Sequence, residues 1–437
     1  MNRQLKHGAT TMGHNFNDIA KDAEQGDSDA QFNLGICYFN GEGVEKDLEQ
    51  AVNWFRKAAQ QGSPEAQFNL AVCYNKGRGV AKDSKQAIAW FQKAAELGNA
   101  NAQYALAFFY GRGILVEKDS EVEVSWLMKA AEQGFLEAQL TLGSYYRTGD
   151  DSVQQDFGQA FGWYKKAAEQ GHEEAQFYLG VFYENGRGVL QDLSKALSWY
   201  KKSAEQGDST AQFNLGLCYL NGNGVERNPE QAVIWLAMAA NQGDSDAQFK
   251  LGFCYFSGDG VERDPEQAVS WFAMAAEQGH SDAQFNLGCC YFSGDGVERD
   301  PEQAVSWFAM AAEQGHSDAQ FNLGYCYFSG NGVERNPEQG VIWFAMAAEQ
   351  GDRDAQCNLG GLYESGMGVL QDLARALSWY EKSAEQGLAQ AQFKLGDFYE
   401  KGTVVLQDLA KALSWYAMAA QQGHQNAQLR LDILSLE

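Results

Sequence analysis

The sequence predicts an all-α solenoid of eleven 36-residue helical hairpins with a capping half-repeat at each end. Three observations predict it. First, an Ala-Gln pair recurs at Ala30, Ala66, Ala102, Ala138, Ala175, Ala211, Ala247, Ala283, Ala319, Ala355, Ala391 and Ala427. Every interval is 36 residues except the 37 between Ala138 and Ala175, and a fixed period in this range marks a repeat array. Second, each unit carries two apolar patterns of helical spacing. Third, one hairpin cannot cover both patterns, so neighbours must stack on either side. Segment 257–288 recurs letter for letter as 293–324.

The unit from Ala283 to Asp318 shows why each element forms. Ala283, Leu287, Cys290 and Tyr291 stand at i, i+4, i+7 and i+8, one face of a first helix of about eleven residues. Gly288 sits beside Leu287, where a missing side chain lets another helix backbone come close. Gly294 and Gly296 follow the last periodic residue, as a left-handed C-terminal turn requires. Asp300 then caps a second helix, Pro301 occupies its first turn, and Gln303 is placed to close a capping box. Ala304, Trp307, Phe308 and Ala311 form the buried stripe, and Gly315 ends it.

Along the chain, residues 1–15 lack a pattern and are expected to be mobile. Residues 16–29 hold a capping helix, with Asp18 where later units have Trp and Asp22 where they have Ala. The array runs over 30–426, with one Trp per hairpin from Trp54 to Trp415 as a structural seam. Residues 427–437 are a closing helix in which Asp432 fills the place of the close-packing Gly. The third unit, with Gly111-Arg112-Gly113-Ile114-Leu115, is expected to shift its turn. The fourth holds the extra residue, and a bend is expected near it.

A net charge of −25 and a pI near 4.6 exclude nucleic acid, whose phosphates need clustered Lys and Arg. The charge keeps a long exposed surface soluble and would attract a basic partner. No apolar run approaches the roughly 18–20 residues of a membrane span, and 1–15 has no signal-peptide core. The expected compartment is cytoplasmic, with export lacking a recognisable signal as the alternative. Cys37, Cys73, Cys218, Cys254, Cys290 and Cys326 all fall at the eighth place of their units. Stacked units would hold them about 8–10 Å apart, too far for a disulfide, so they read as core residues of a reducing compartment.

The pattern Ala-x3-Leu-Gly-x2-Tyr-x2-Gly-x-Gly-Val-x2-Asp, followed by Ala-x2-Trp-Tyr/Phe and Ala-Ala-Glu-Gln-Gly, resembles the Sel-one-like repeat family, related to the tetratricopeptide repeat. The resemblance covers about residues 16–437. It implies a right-handed α/α superhelix acting as an adaptor between protein partners. One secreted, cysteine-rich branch is linked to β-lactam binding or hydrolysis and cross-links helices through C-x7-C pairs. The matching places here are Ala311 and Ala319, which sets this chain apart from that chemistry.

Nothing in the sequence requires an enzyme, a cofactor or a metal. The GxGV segments follow helices and carry acids, unlike phosphate loops. His172, His280, His316 and His424 are a repeat or more apart, far from zinc spacing. The expected function is a non-catalytic adaptor, monomeric, holding a peptide or protein surface in a concave groove; lactam chemistry or a structural spacer are the alternatives. The groove would be lined by places 3, 7, 10 and 11 of the first helices. Place 3 is nearly always Phe, which suits packing as well as binding. Place 7 varies and includes Phe253 and Tyr325, and place 10 gives Phe256, Phe292 and Phe328 as exposed aromatics in register. Place 4 gives Asn33, Asn69, Asn214, Asn286, Asn322 and Asn358, with Lys250 and Lys394 among them. An amide donates and accepts at once, so such a ladder can grip the backbone of an extended peptide.

Overall fold

A computed structural model of the chain describes residues 15–149 and 153–434. The segment expected to be mobile lies outside them except for Asn15, whose side chain caps the first helix. The chain divides into two compact units, Met1–Ala211 and Gln212–Glu437. The first holds α1 (Phe16–Glu24), α2 (Ser28–Asn40), α3 (Leu48–Gln60), α4 (Pro64–Lys76), α5 (Ser84–Glu96) and α6 (Ala100–Arg112). It continues with α7 (Ser120–Glu132), α8 (Leu136–Thr148), α9 (Phe157–Glu169), α10 (Glu173–Asn185) and α11 (Leu193–Glu205). The division falls within α12 (Ser209–Asn221). The second unit then holds α13 (Pro229–Asn241), α14 (Ser245–Ser257), α15 (Pro265–Glu277), α16 (Ser281–Ser293), α17 (Pro301–Glu313) and α18 (Ser317–Ser329). It ends with α19 (Pro337–Glu349), α20 (Arg353–Ser365), α21 (Leu373–Glu385), α22 (Ala389–Lys401), α23 (Leu409–Gln421) and α24 (Gln425–Leu434). No strand occurs among the described residues, and the fold is an all-α array of paired helices.

One hairpin explains the rest. In α16 the ring of His280 accepts the Ala283 N–H at 3.2 Å, and Gly294 ends the helix at φ 83° with its N–H on the Cys290 carbonyl. The helix is thirteen residues long, two more than the apolar spacing suggested, because its first two residues, Ser281 and Asp282, are polar and lie ahead of the apolar stripe. Asp300 accepts from the N–H groups of Glu302 and Gln303, and Pro301 leads α17. The capping box does not close. Asp300 already donates its N–H to Tyr291 at 2.8 Å, so the Gln303 amide bonds the outer oxygen of Asp300 instead.

The core is a chain of small clusters, one per hairpin. Phe308, Ala304 and Ala311 of α17 bury against Leu287-type residues of the following first helix, Ala319 and Leu323, with Trp343 of the next hairpin laid on the cluster. Trp307 lies on the preceding cluster in the same way. The Trp is thus a joint between hairpins, half-buried at its place. Gly288 is required because a Cβ there would meet the Phe308 ring at 2.7 Å; an aromatic ring, more than a backbone, fills the space. In the third repeat the turn is not shifted. Gly113 (φ 63°) occupies the place of Gly77, and Leu115 accepts φ 69° at the place of Gly79. The extra-residue turn of the fourth repeat, at 150–152, lies outside the described residues.

A second joint is polar. The Gln of the Ala-Gln pair is buried in every repeat from Gln31 to Gln392, and it typically bonds in two directions. Gln320, for example, donates to the Ala312 carbonyl at the end of α17 and accepts from Gln350 at the end of α19 at 2.7 Å. The same amide pair joins Gln31 to Gln61 and Gln176 to Gln206 in the first unit, and Gln248 to Gln278 in the second. It fails at Gln67, whose buried Oε1 has no partner, because Leu97 stands where the donating Gln belongs and is 55% exposed. Leu97→Gln should therefore raise stability by about 1 kcal/mol, since a buried acceptor gains its missing donor. A urea midpoint that fails to rise would show that the amide cannot reach.

Candidate functional site: a groove across the first helices

In the Gln212–Glu437 unit the outward faces of α16, α18, α20 and α22 carry three cavities in a row. The first, of about 570 Å³, is lined from α16 by Cys289, Phe292 and Ser293, from α17 by Phe308, from α18 by Phe321, Asn322, Tyr325 and Cys326, and from α20 by Asn358. The next, of about 290 Å³, shares Tyr325 and Asn358 and adds Phe328, Phe344 and Ser365. A third, of about 530 Å³, shares Asn358 and Ser365 and reaches Glu364, Tyr380 and Lys394. Shared walls make the three one groove that crosses successive first helices.

Of the residues expected from sequence, Phe292, Asn322, Tyr325, Phe328, Asn358 and Lys394 meet in this groove. Tyr325 is 49% exposed, so half of its ring faces solvent at the cavity mouth. The place-10 aromatics are less exposed than their position on an isolated helix implied. Phe292 packs on Phe308 and Phe256 on Phe272, both at 6.3 Å between ring centres, because the second helix presents its own ring beneath them. Place 3 proves to be largely packing: Phe285 touches Phe308, and Phe249 touches Phe272. Elsewhere the positions are scattered. Phe253 is half exposed on α14, Lys250 lies over the Phe249 ring, and Asn33 and Asn214 are partly covered. Asn69 is only 9% exposed. Asn286 donates to the Asp282 carbonyl of its own helix at 2.7 Å, so part of its donor capacity is spent.

At the polar end of the groove sequence reading named Lys394 but missed Glu364 and Tyr380. Lys394 Nζ lies 2.9 Å from Glu364 Oε2, and the Tyr380 hydroxyl donates to the same carboxylate at 2.7 Å. Burial first, and that carboxylate second, push the Tyr380 hydroxyl above its ordinary range, so it stays a donor. Arg430 pairs with Glu400 in the same way. The signal was available: Glu364 and Glu400 stand at place 10 only where the second helix offers a Tyr, Tyr380 and Tyr416, whereas Phe292 faces Phe308.

Most of the remaining chemistry-bearing groups have structural roles; His172 heads α10 without a cap bond, its buried Nδ1 unpartnered. The cysteines form no disulfide; burial pushes Cys73 up to about 12 and Cys290 and Cys326 up to about 11, so these three are not thiolates near neutrality. His280, His316 and His424 cap α16, α18 and α24 through their rings and stack on Phe249, Phe285 and Phe393. Among the described residues no cluster of His, Cys, Asp and Glu is arranged to hold a metal ion, and no helix is long and apolar enough to cross a membrane.

Stacked helical hairpins joined by Trp and Gln, with a groove across one row of helices, define a repeat scaffold of the tetratricopeptide-like class. The Sel1 repeat model matches eleven consecutive times, at 28–63, 64–99, 100–135, 136–172, 173–208, 209–244, 245–280, 281–316, 317–352, 353–388 and 389–424. The chain belongs to the Sel1 repeat family. It is similar to c5321, a protective antigen of uropathogenic Escherichia coli displaying an SLR fold, at 39% identity and a TM-score of 0.83, over 96% of this chain and 90% of that one. It is also similar to a Sel1 repeat protein of Oxalobacter formigenes, at 34% identity and a TM-score of 0.59, over 75% and 93% of the two chains. No curated protein matches the chain.

Proposed function

We propose that the chain is a non-catalytic interaction scaffold that holds an extended segment of a partner protein along the groove of its second unit. The observation that carries this reading is the continuity of the three cavities, with Asn358 in the wall of each. Their chemistry grades from apolar to polar. An apolar side chain fits beside Phe292 and Tyr325, the Asn322 and Asn358 amides suit a passing backbone, and the Lys394–Glu364 pair suits a polar residue at the far end. The net charge of −25 favours a basic partner. Cysteines that form no disulfide support the cytoplasm as its compartment, and we propose a monomer.

The test is selection of extended peptides on the wild-type protein, followed by titration against the variant Asn322→Ala with Asn358→Ala. Both side chains are partly or fully exposed, so melting should change little, while binding should weaken by about 1–3 kcal/mol. Equal affinity for wild type and variant would remove the amides from the contact, and retained affinity in Tyr325→Ala as well would remove the groove.

A further inference from the structure

The second helices carry a different surface, which the groove does not use. Five Trp rings of the first unit each lie under a lysine three residues on: Lys57 over Trp54 at 3.7 Å, Lys93 over Trp90 at 4.2 Å, and likewise Lys129, Lys166 and Lys202. A lysine there covers the ring with its stem and keeps a solvated charge outside. In the second unit the same place reads Met238, Met274, Met310 and Met346 in four consecutive repeats before lysine returns at Lys382, 3.9 Å over Trp379. These methionines are 43%, 45%, 47% and 40% exposed, so nearly half of each thioether side chain faces water with no cation laid over the ring beside it.

The ends of three of these helices are acidic, while α13 has Glu230 in its first turn and ends on Asn241. Glu266, Glu302 and Glu338 stand in the first turns of α15, α17 and α19, and each of these helices also ends on an exposed glutamate. No Lys, Arg or His occurs in α13, α15, α17 or α19. On α17 the exposed stripe runs Glu302, Ser306, Met310, Glu313, at i, i+4, i+8 and i+11, so the methionine row passes between two acidic borders. Successive second helices are neighbours, since the Trp of each lies on the hairpin before it. Each step is at least the roughly 8–10 Å of a packed helix pair, so the four methionines span at least about 24–30 Å, the length of a helix of roughly 16–20 residues or more.

We propose that the Met238–Met274–Met310–Met346 row is a docking surface for a basic amphipathic helix of a partner protein. Soft, unbranched thioethers adapt to the apolar side of such a helix, and the two glutamate borders meet its cations. A second copy of this chain fits poorly, because its own second-helix face would set glutamate against glutamate and each copy carries a net charge of −25. The surface is independent of the groove, and its failure leaves the groove reading untouched.

The probe is a helical peptide of about 20 residues built from Leu and Lys in amphipathic order, with a Leu and Glu counterpart, each titrated by fluorescence anisotropy against the full chain. The Lys peptide should bind and the Glu peptide should not. Replacing the four methionines together by glutamine removes apolar surface without changing charge, and should weaken binding at least about tenfold. Replacing them by lysine, the residue native to six other repeats at this place, should abolish binding while leaving helicity and melting unaltered. Tyr325→Ala in the groove should leave it unaffected. Unchanged affinity in the glutamine variant, or equal binding of the acidic peptide, would overturn the assignment. So would a wild-type dimer in sedimentation that the glutamine variant dissociates, since a second copy would then own the surface.

Discussion

Gly296→Ala should lower stability by about 3–4 kcal/mol and split the cooperative melt of the second unit into two steps. Two costs combine. Gly296 is held at φ 79°, where an alanine is strained by about 1–2 kcal/mol. A Cβ there would also fall inside the van der Waals envelope of the Pro265 carbonyl, at the start of the second helix one repeat back. That neighbour is backbone and cannot turn aside, so relief requires separating the two hairpins. Gly260 meets Pro229 and Gly332 meets Pro301 in the same way. Gly315→Ala is the control: its φ is 92°, yet nothing lies within 4 Å of its added Cβ, so only strain of about 1–2 kcal/mol remains. Urea unfolding of both variants separates the terms, and equal losses would show that the glycine loop is not a joint.

That joint was legible as a turn but not as a contact. Periodicity and cap chemistry fix what happens within a helix, so the hairpins, the Asp300 cap, the Pro301 start and the Gly294 stop follow from local residues. Contacts between repeats are another matter. In a repeated sequence every residue keeps a constant distance to every other, so spacing alone cannot tell which two rows touch. The Gln320–Gln350 pairing hides in that way, and the exception at Leu97 only becomes informative once the donor's partner is known. The groove was half legible for a related reason. The face of a first helix follows from 3.6-residue geometry, which brings Phe292, Tyr325 and Asn358 to the correct side. What lies under that face belongs to the second helix, so the half-burial of Phe292 by Phe308 and the Tyr380–Glu364 bond could not be read from the first helix alone. Trp with a lysine three residues on is a local pattern. Its loss in four consecutive repeats was overlooked because the tryptophans were read as a uniform seam.

Gln320→Leu should cost about 2–3 kcal/mol, although leucine fills much the same space. The buried amide supplies a donor to the Ala312 carbonyl and an acceptor to Gln350, and it is 1% exposed. Leucine leaves the carbonyl with its one remaining bond from Gly315 and leaves Gln350 only the Gly315 carbonyl to donate to. Each group keeps one partner, so the cost is the loss of two hydrogen bonds, each worth about 1 kcal/mol net, with a little more for the part-buried acceptor. Gln350→Leu alone should recreate the defect already present at Gln67 and cost about 1–2 kcal/mol. In the double variant both partners are gone, so the second substitution should cost less in the background of the first than in the wild type. Denaturant midpoints of the four proteins close the cycle. Additive losses would mean that the two amides do not depend on each other, and the polar joint between hairpins would then rest on the Ala312 bond alone.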